Sequence, residues 1–388
     1  MVYGYPPASA RQYDEDGKRI IWAVPKALYG GKASGRYWYM HLRAWLVKEG
    51  FTPSEWDPCV FTRGDYTIGV YVDDLVHVFD DDAEYEALVV KLKAEFNQYD
   101  DLGPLTEIFN AEVHQSPAHV TITQKRFIES LCASHGIDPS VRCKVPAVQE
   151  LPELLRRAKS MDAEHLNAQD HADYRAIVGA VLYLSVVCRP DVALAVGLLS
   201  RCLDSPTKQT MDAARRVLQY LITTKDLGIR YTKNVELDLN GMVDSDWAVD
   251  KSTSGYVYFL AQAALAWLAK KQISIALSST EAEIMAASLA AIEAVFLRGL
   301  LTNVGSAPVG PTTLAIDNSG AVALSRDYIS NGKTKHIERR HLKVRELVEE
   351  AVVSTSHIPT ADNVADILTK PLGYRRFEKL RKLLMNHA

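Results

Sequence analysis

Tyr66-Thr67-Ile68-Gly69-Val70-Tyr71-Val72-Asp73-Asp74-Leu75-Val76-His77-Val78-Phe79 alternates apolar positions with period two, breaks at two carboxylates and resumes the alternation. That is the pattern of a β-hairpin presenting Asp73 and Asp74 at its tip. A lone Asp-Asp in a turn is ordinary, because Asp side chains bond nearby backbone. Here apolar residues flank the pair closely, so the carboxylates leave a buried two-stranded ribbon at fixed positions. One or two carboxylates held in this way, with phosphate and water as the other ligands, suit Mg²⁺ and phosphoryl transfer. Beyond the hairpin, Leu88, Val89, Leu92 and Phe96 recur at three- and four-residue spacing and predict a helix packed by one face. Asp80, Asp81, Asp82, Glu84 and Glu86 read as the solvated start of that helix, favoured by its dipole.

Around this hairpin lies a chain of 388 residues, 47% hydrophobic and 24% charged. That is enough apolar mass for two or three domains and too much for disorder. The apolar stretches interrupted by Arg189-Pro190-Asp191 and Lys270-Lys271 stop short of the roughly 18 residues a membrane span needs, so no membrane partner is expected. Met1-Val2-Tyr3-Gly4-Tyr5-Pro6-Pro7 lacks the basic-then-apolar order of a secretory signal, and an intracellular protein is expected. Cys59, Cys132, Cys143, Cys188 and Cys202 are odd in number and none is two residues from another, so they read as buried thiols.

Short strands mixed with amphipathic helices point to α+β and α/β domains. Residues 151 to 173 are polar and weakly periodic and read as a linker or loose connection. Ala176 to Leu203 and Met211 to Thr223 read as helices, with Ala214, Leu218 and Leu221 on one face of the second. From Val235 the order reads strand, strand, helix, strand, helix, helix, strand, helix, enough for a separate α/β layer.

This last region carries a second set of acids. Asp244 follows Val243 at the end of a strand, with Asp246 two residues on. In Ser278-Ser279-Thr280-Glu281-Ala282-Glu283, both Ser278 with Glu281 and Thr280 with Glu283 fit a capping box. Taking Met285, Leu289, Ile292 and Phe296 as the core stripe puts Glu281 on the buried face and Glu283 about 200° further round. A buried carboxylate needs a partner or a metal, so the pattern assigns the site to Glu281 and the cap to Glu283. Asp317 ends the strand Leu314-Ala315-Ile316, where a cap by Asp317 or Asn318 is the bland reading. Asp366 lies one turn after Asp362 in a short helix, too far in to cap it. Four acids on four elements could converge on two divalent ions about 3.5 to 4 Å apart.

The net charge of −4 is a sum of opposites: Asp73 to Glu86 holds seven acids and no base, and Lys333 to Arg345 six bases and one acid. The second run, with Lys333, Lys335, His336, Arg339, Arg340 and His341, is a candidate grip on a phosphate backbone. A further basic run, Lys370 to Lys382, reads as a solvated helix face.

Tyr71-Val72-Asp73-Asp74 resembles the metal-binding hairpin of reverse transcriptases. The surrounding blocks are similar to the Pol polyprotein of copia-type long-terminal-repeat retrotransposons. They include Lys26-Ala27-Leu28-Tyr29-Gly30, Asp57-Pro58-Cys59, Asp101-Leu102-Gly103, Arg189-Pro190-Asp191, Ser278 to Glu283, Thr334-Lys335-His336-Ile337 and Ala365-Asp366-Ile367-Leu368-Thr369-Lys370-Pro371, collinear over nearly the whole chain. The resemblance implies a multidomain chain: a partial polymerase palm over 1–110, a thumb-like part over 111–150, a helical connection over 151–235 and a ribonuclease H-like domain over 236–388. It implies Mg²⁺, two ions per site, with Mn²⁺ as a substitute. Asp73 and Asp74 would be the polymerase ligands, and Asp244, Glu281, Asp317 and Asp366 the nuclease ligands. Implied partners are an RNA template, RNA–DNA hybrid and DNA, with a homodimer allowed, in a cytoplasmic particle, the nucleus or both. The family's third polymerase aspartate lies upstream of Tyr3-Gly4-Tyr5-Pro6-Pro7, so the polymerase site within this chain is expected to be incomplete. The alternative is an inactive nucleic-acid-binding or assembly remnant.

Overall fold

The computed structural model describes residues 2–4, 8–24, 31–160, 162–248, 251–326 and 343–387. The chain divides into two compact units, residues 1–101 with Leu300–Gly305, and Leu102–Gly299 with Ser306–Ala388. Its class is the mixed helix-and-sheet, multidomain one expected.

In the first unit, β1 (Val2–Gly4) and β2 (Trp22–Val24) make an antiparallel ribbon. Helix α1 (Ser34–Lys48) leads into an antiparallel sheet of β3 (Thr52–Pro53), β4 (Val60–Arg63), β5 (Tyr66–Tyr71) and β6 (Asp74–Val78), followed by α2 (Asp82–Glu95). The period-two pattern has its expected effect: Tyr66, Ile68 and Val70 are buried against Leu42, Trp45 and Leu46 of α1 and Leu88 and Leu92 of α2. Tyr71 pairs with Asp74, which leaves Val72 and Asp73 as the whole turn. So tight a turn puts Val72 at φ 53°, a region that β-branched residues avoid. The Trp38 indole N–H, 2.8 Å from the Val72 carbonyl, helps to hold it there. The Asp81 side chain accepts from the N–H groups of Ala83 and Glu84 and caps α2, as its acidic start implied.

The second unit begins with an antiparallel sheet in the order β10, β9, β8, β7, from β7 (Glu107–Ile108), β8 (Ala111–Gln115), β9 (His119–Thr123) and β10 (Ile229–Thr232). Helices α3 (Lys125–Ser134), α4 (Leu151–Ala158), α5 (Ala168–Val187), α6 (Ala193–Leu199) and α7 (Lys208–Thr223) pack beside it. Residues 151 to 158 are therefore a helix, not a linker. Leu151, Leu155 and Ala158 are buried in the core, and the charged residues between them hid their spacing. Between α5 and α6, Arg189 and Asp191 form a fully buried bidentate pair at 2.8 and 2.9 Å. All five cysteines are free thiols, four buried and Cys59 half-buried.

A five-stranded sheet completes this unit: β11 (Asn240–Asp246), β12 (Thr253–Leu260), β13 (Ala263–Lys271), β14 (Thr312–Ile316) and β15 (Val353–His357), in the order β13, β12, β11, β14, β15. β13, β12 and β11 are antiparallel neighbours, whereas β11, β14 and β15 run parallel. The sequence pattern had one strand fewer, because the alanines of β13 hide its alternation. Helix α8 (Ser279–Asn303) joins β13 to β14, α9 (Ser319–Arg326) and α10 (Lys343–Glu349) lie between β14 and β15, and α11 (Tyr374–Met385) ends the unit. By length and composition α8 could cross a membrane. It is packed on the sheet instead: the hydroxyls of Tyr258 and Tyr256 donate to the Ala290 carbonyl and to Glu293.

The buried face of α8 is not the one expected. Ala282, Ala286, Ala287, Ala290, Ala291 and Ala294 are inside with Met285, the one member of the expected stripe that is buried, whereas Leu289, Ile292 and Phe296 are exposed. Methyl side chains let the helix approach the sheet closely, so the alanines dominate the buried face, joined by Ile284, Met285 and Leu297.

Candidate metal centre

Parallel pairing of β11 with β14 ends at Val243 beside Ile316, so the next residues come side by side: Asp244, still paired with Gly255 of β12, and Asp317, just past the end of β14. Glu283 comes down on them from the first turns of α8. One carboxylate oxygen from each of Asp244, Glu283 and Asp317 lies within 4.8 Å of the others. Glu283 is only 4% exposed. Its Oε1 accepts the Ser245 N–H at 3.0 Å, and its Oε2 has no hydrogen-bond partner among the described residues. Two like charges at this spacing repel by about 3 kcal/mol at an effective dielectric near 20. Burial, reinforced by the charges of Asp244 and Asp317, accordingly pushes the Glu283 carboxyl up to about 8. Burial also raises Asp244 to about 6, against the pull of Lys370.

Sequence reading gave the site to Glu281 and the cap to Glu283, and the structure places them the other way round. The Glu281 N–H donates to Ser278 Oγ at 3.1 Å, and Glu281 Oε2 reaches back to the Leu277 N–H at 2.7 Å, as helix-start capping requires. Glu283 shares the alanine face that meets the sheet. The error follows from choosing the large apolar residues as the core stripe. Asp317 is free for the group because Asn318 takes the capping role, its Oδ1 accepting the Ala321 N–H at 3.0 Å.

Asp366 is fully buried but outside this group of three. It sits in a 3-10 turn, Val364–Leu368, docked on β11 by the Asn363 amide, which donates to the Val243 carbonyl at 2.8 Å. The turn comes this close because residue 255 on β12 is glycine: a Cβ there would lie 2.6 Å from Thr369 Cγ2 and 3.0 Å from Leu368 Cβ. Lys370 Nζ then bridges Asp366 Oδ1 at 2.9 Å and Asp244 Oδ1 at 3.1 Å. The Thr369 hydroxyl donates to the other Asp244 oxygen, and Arg376 to the other Asp366 oxygen. Burial opposes the charge of Lys370, but the two carboxylates outweigh it and hold the ammonium well above its ordinary range. Lys370 and Arg376 are thus part of the site, not of a solvated face. The i,i+4 spacing of Asp366 and Lys370 was the available signal.

In the first unit the two acids of the hairpin are exposed. Among the described residues no third ligating group joins Asp73 and Asp74. Lys333, Lys335, His336, Arg339, Arg340 and His341 lie outside the described residues. At the end of the same run, Lys343 pairs with Glu346 and Arg345 donates to the Leu324 carbonyl.

A hard divalent cation fits the three-carboxylate group. The donors are all oxygen, their charge is in excess, and the buried Glu283 Oε2 has no other partner.

A family model described as reverse transcriptase (RNA-dependent DNA polymerase) matches residues 1–149. The retrovirus-related Pol polyprotein from transposon RE1 of Arabidopsis thaliana is 31% identical over 373 residues, 94% of this chain and 25% of that protein. The Pol polyprotein from transposon TNT 1-94 of Nicotiana tabacum is 29% identical over 385 residues, 96% of this chain and 28% of that one. The chain thus spans about a quarter of the length of these relatives. Among solved structures, the foamy viral protease-reverse transcriptase dRH in complex with ds DNA aligns at TM-score 0.42 and 10% identity, over 92% of this chain and 54% of that one.

Proposed function

The chain belongs to the retrovirus-related Pol polyproteins of copia-type transposons, and we propose that it is a reverse transcriptase and ribonuclease H portion whose second unit hydrolyses the RNA strand of RNA–DNA hybrids with Mg²⁺. The observation that carries this reading is the group of the buried Asp244 and Glu283 with the half-buried Asp317, and its orphan carboxylate oxygen on Glu283. These three residues would hold the ion, with Mn²⁺ able to replace it. Bound there, a divalent cation supplies Lewis acidity toward a phosphodiester oxygen and a water ready to lose its proton.

The rest is the work of the chain's own groups. The Ser245 N–H holds Glu283 through Oε1 and leaves Oε2 without a partner among the described residues. Thr369 and Lys370 orient Asp244, and the strand end presents Asp317. The run containing Lys333, Lys335, His336, Arg339, Arg340 and His341 would neutralise phosphates of the hybrid. By the same reading the protein acts inside the cell, on RNA template, hybrid and DNA. An inactive remnant is less favoured, because the carboxylate group is still assembled.

Cleavage of labelled RNA in a hybrid by the purified chain should require Mg²⁺ and vanish in Asp244→Asn. Equal inertness of the wild type and the variant, or cleavage that survives chelation, would sink the proposal. Asp73 and Asp74 correspond by family to polymerase ligands. With no third carboxylate beside them among the described residues, this chain alone is expected to extend no primer. Templated incorporation that is lost in Asp73→Asn would contradict that expectation.

A further inference from the structure

Two buried carboxylate oxygens from different elements, Asp244 Oδ1 on β11 and Asp366 Oδ1 in the Val364–Leu368 turn, point at one place, and the Lys370 ammonium fills it. The acids are 1% and 0% exposed at the side chain, whereas Lys370 is 34% exposed. The lysine thus reaches this place from the solvent side on a flexible four-carbon stem. Asp244 also belongs to the three-carboxylate group. One carboxylate facing two adjacent positions is what a pair of cations about 3.5 to 4 Å apart demands. Mg²⁺ binds oxygen at about 2.0 to 2.1 Å in a strict octahedron, so it cannot share these two oxygens with an ammonium.

We propose that Lys370 is a resident counter-cation closing the second of two cation positions: the free protein takes one divalent ion at Asp244–Glu283–Asp317, and a second only when Lys370 swings out. This rests on the metal-dependent reading above. Lys370 is a positioning residue in this scheme. In the resting state it neutralises a carboxylate pair that would otherwise repel, and it sets how readily the second ion enters. Arg376 remains on the outer oxygen of Asp366 throughout, so the acid keeps its place when the lysine leaves.

The test is Mn²⁺ binding to the full chain without nucleic acid, with free Mn²⁺ counted by electron paramagnetic resonance at fixed pH. Wild type should bind one ion over a range in which Lys370→Met binds two, because removing a competing unit charge near 4 Å should tighten the second site at least about tenfold. Lys370→Arg, which keeps the charge, should bind one. Two equivalent ions on the wild type, or an unchanged second affinity in a folded Lys370→Met, would overturn the inference while leaving the metal centre standing. No ion on the wild type would overturn both. If Lys370→Met fails to fold, the wild-type stoichiometry decides: one ion supports the inference and two refute it.

Discussion

The β5–β6 hairpin and the β11–α8–β14 junction both collect acids, and they do so in opposite ways. The hairpin exposes Asp73 and Asp74 to water on a two-residue turn. At the junction Asp244 and Glu283 are buried with Asp317 close by, and the shifts to about 6 and about 8 record the cost of that burial. An exposed acid needs the rest of an assembly to become a ligand. A buried one is already paired, protonated or waiting for a cation.

The largest expected effect separates two glutamates two residues apart on opposite sides of α8. Glu283→Gln should lower hybrid cleavage by at least about 100-fold, because it removes a ligand charge that an amide cannot replace. Glu281→Gln should change cleavage by only a few fold. If Glu281→Gln is the inert variant, the placement described above is wrong.

Next, acid should act on the two units in opposite senses. His77 lies between the Tyr66 and Tyr99 hydroxyls, and burial lowers it to about 4 from 6.5. Between those values the unfolded chain binds the proton and the folded chain does not, so the first unit should lose stability, by up to roughly 3 kcal/mol, as pH falls from 6.5 to 4. Glu283 has the reverse sign: the folded chain keeps its proton up to about 8, against 4.5 unfolded. The metal-free second unit should therefore lose stability as pH rises from 4.5 to 8, and saturating Mg²⁺ should flatten that trend. Hydrogen exchange resolved by peptide, with chelator and then with Mg²⁺, reads both. Parallel trends in the two units would count against this electrostatic account.

A smaller effect concerns close approach. Gly255→Ala should destabilise the second unit by about 1 to 3 kcal/mol and weaken cleavage, because its methyl meets Thr369 and Leu368. A melting temperature within a degree of wild type would show that the Val364–Leu368 turn yields freely. Smallest is the contrast within the first unit: Asp81→Ala should cost about 1 kcal/mol through the lost cap. The exposed Asp73→Asn should stay within about 0.5 kcal/mol. Chemical denaturation measures both.

The hairpin was legible because strand alternation and turn acids are local: Tyr66, Ile68 and Val70 face inward as their spacing said. Asp317 was legible as a strand-end acid for the same reason, whereas Asp244, expected at a strand end, lies within β11, which continues to Asp246. Glu283 was not legible, because α8 is apolar on every side and periodicity alone cannot say which face the sheet covers. Helix α4 was missed because its three buried residues are surrounded by charge.

By itself the sequence determined most of the elements, the family and most of the candidate acids, since these depend on residue order and short-range period. Only the tertiary structure decided which acids meet. It set the alanine face of α8, and not Leu289, Ile292 and Phe296, against the sheet, and it let Gly255 admit the turn that carries Asp366 and Lys370. Both outcomes depend on how closely backbones approach across the fold, and residues far apart in the chain settle that distance.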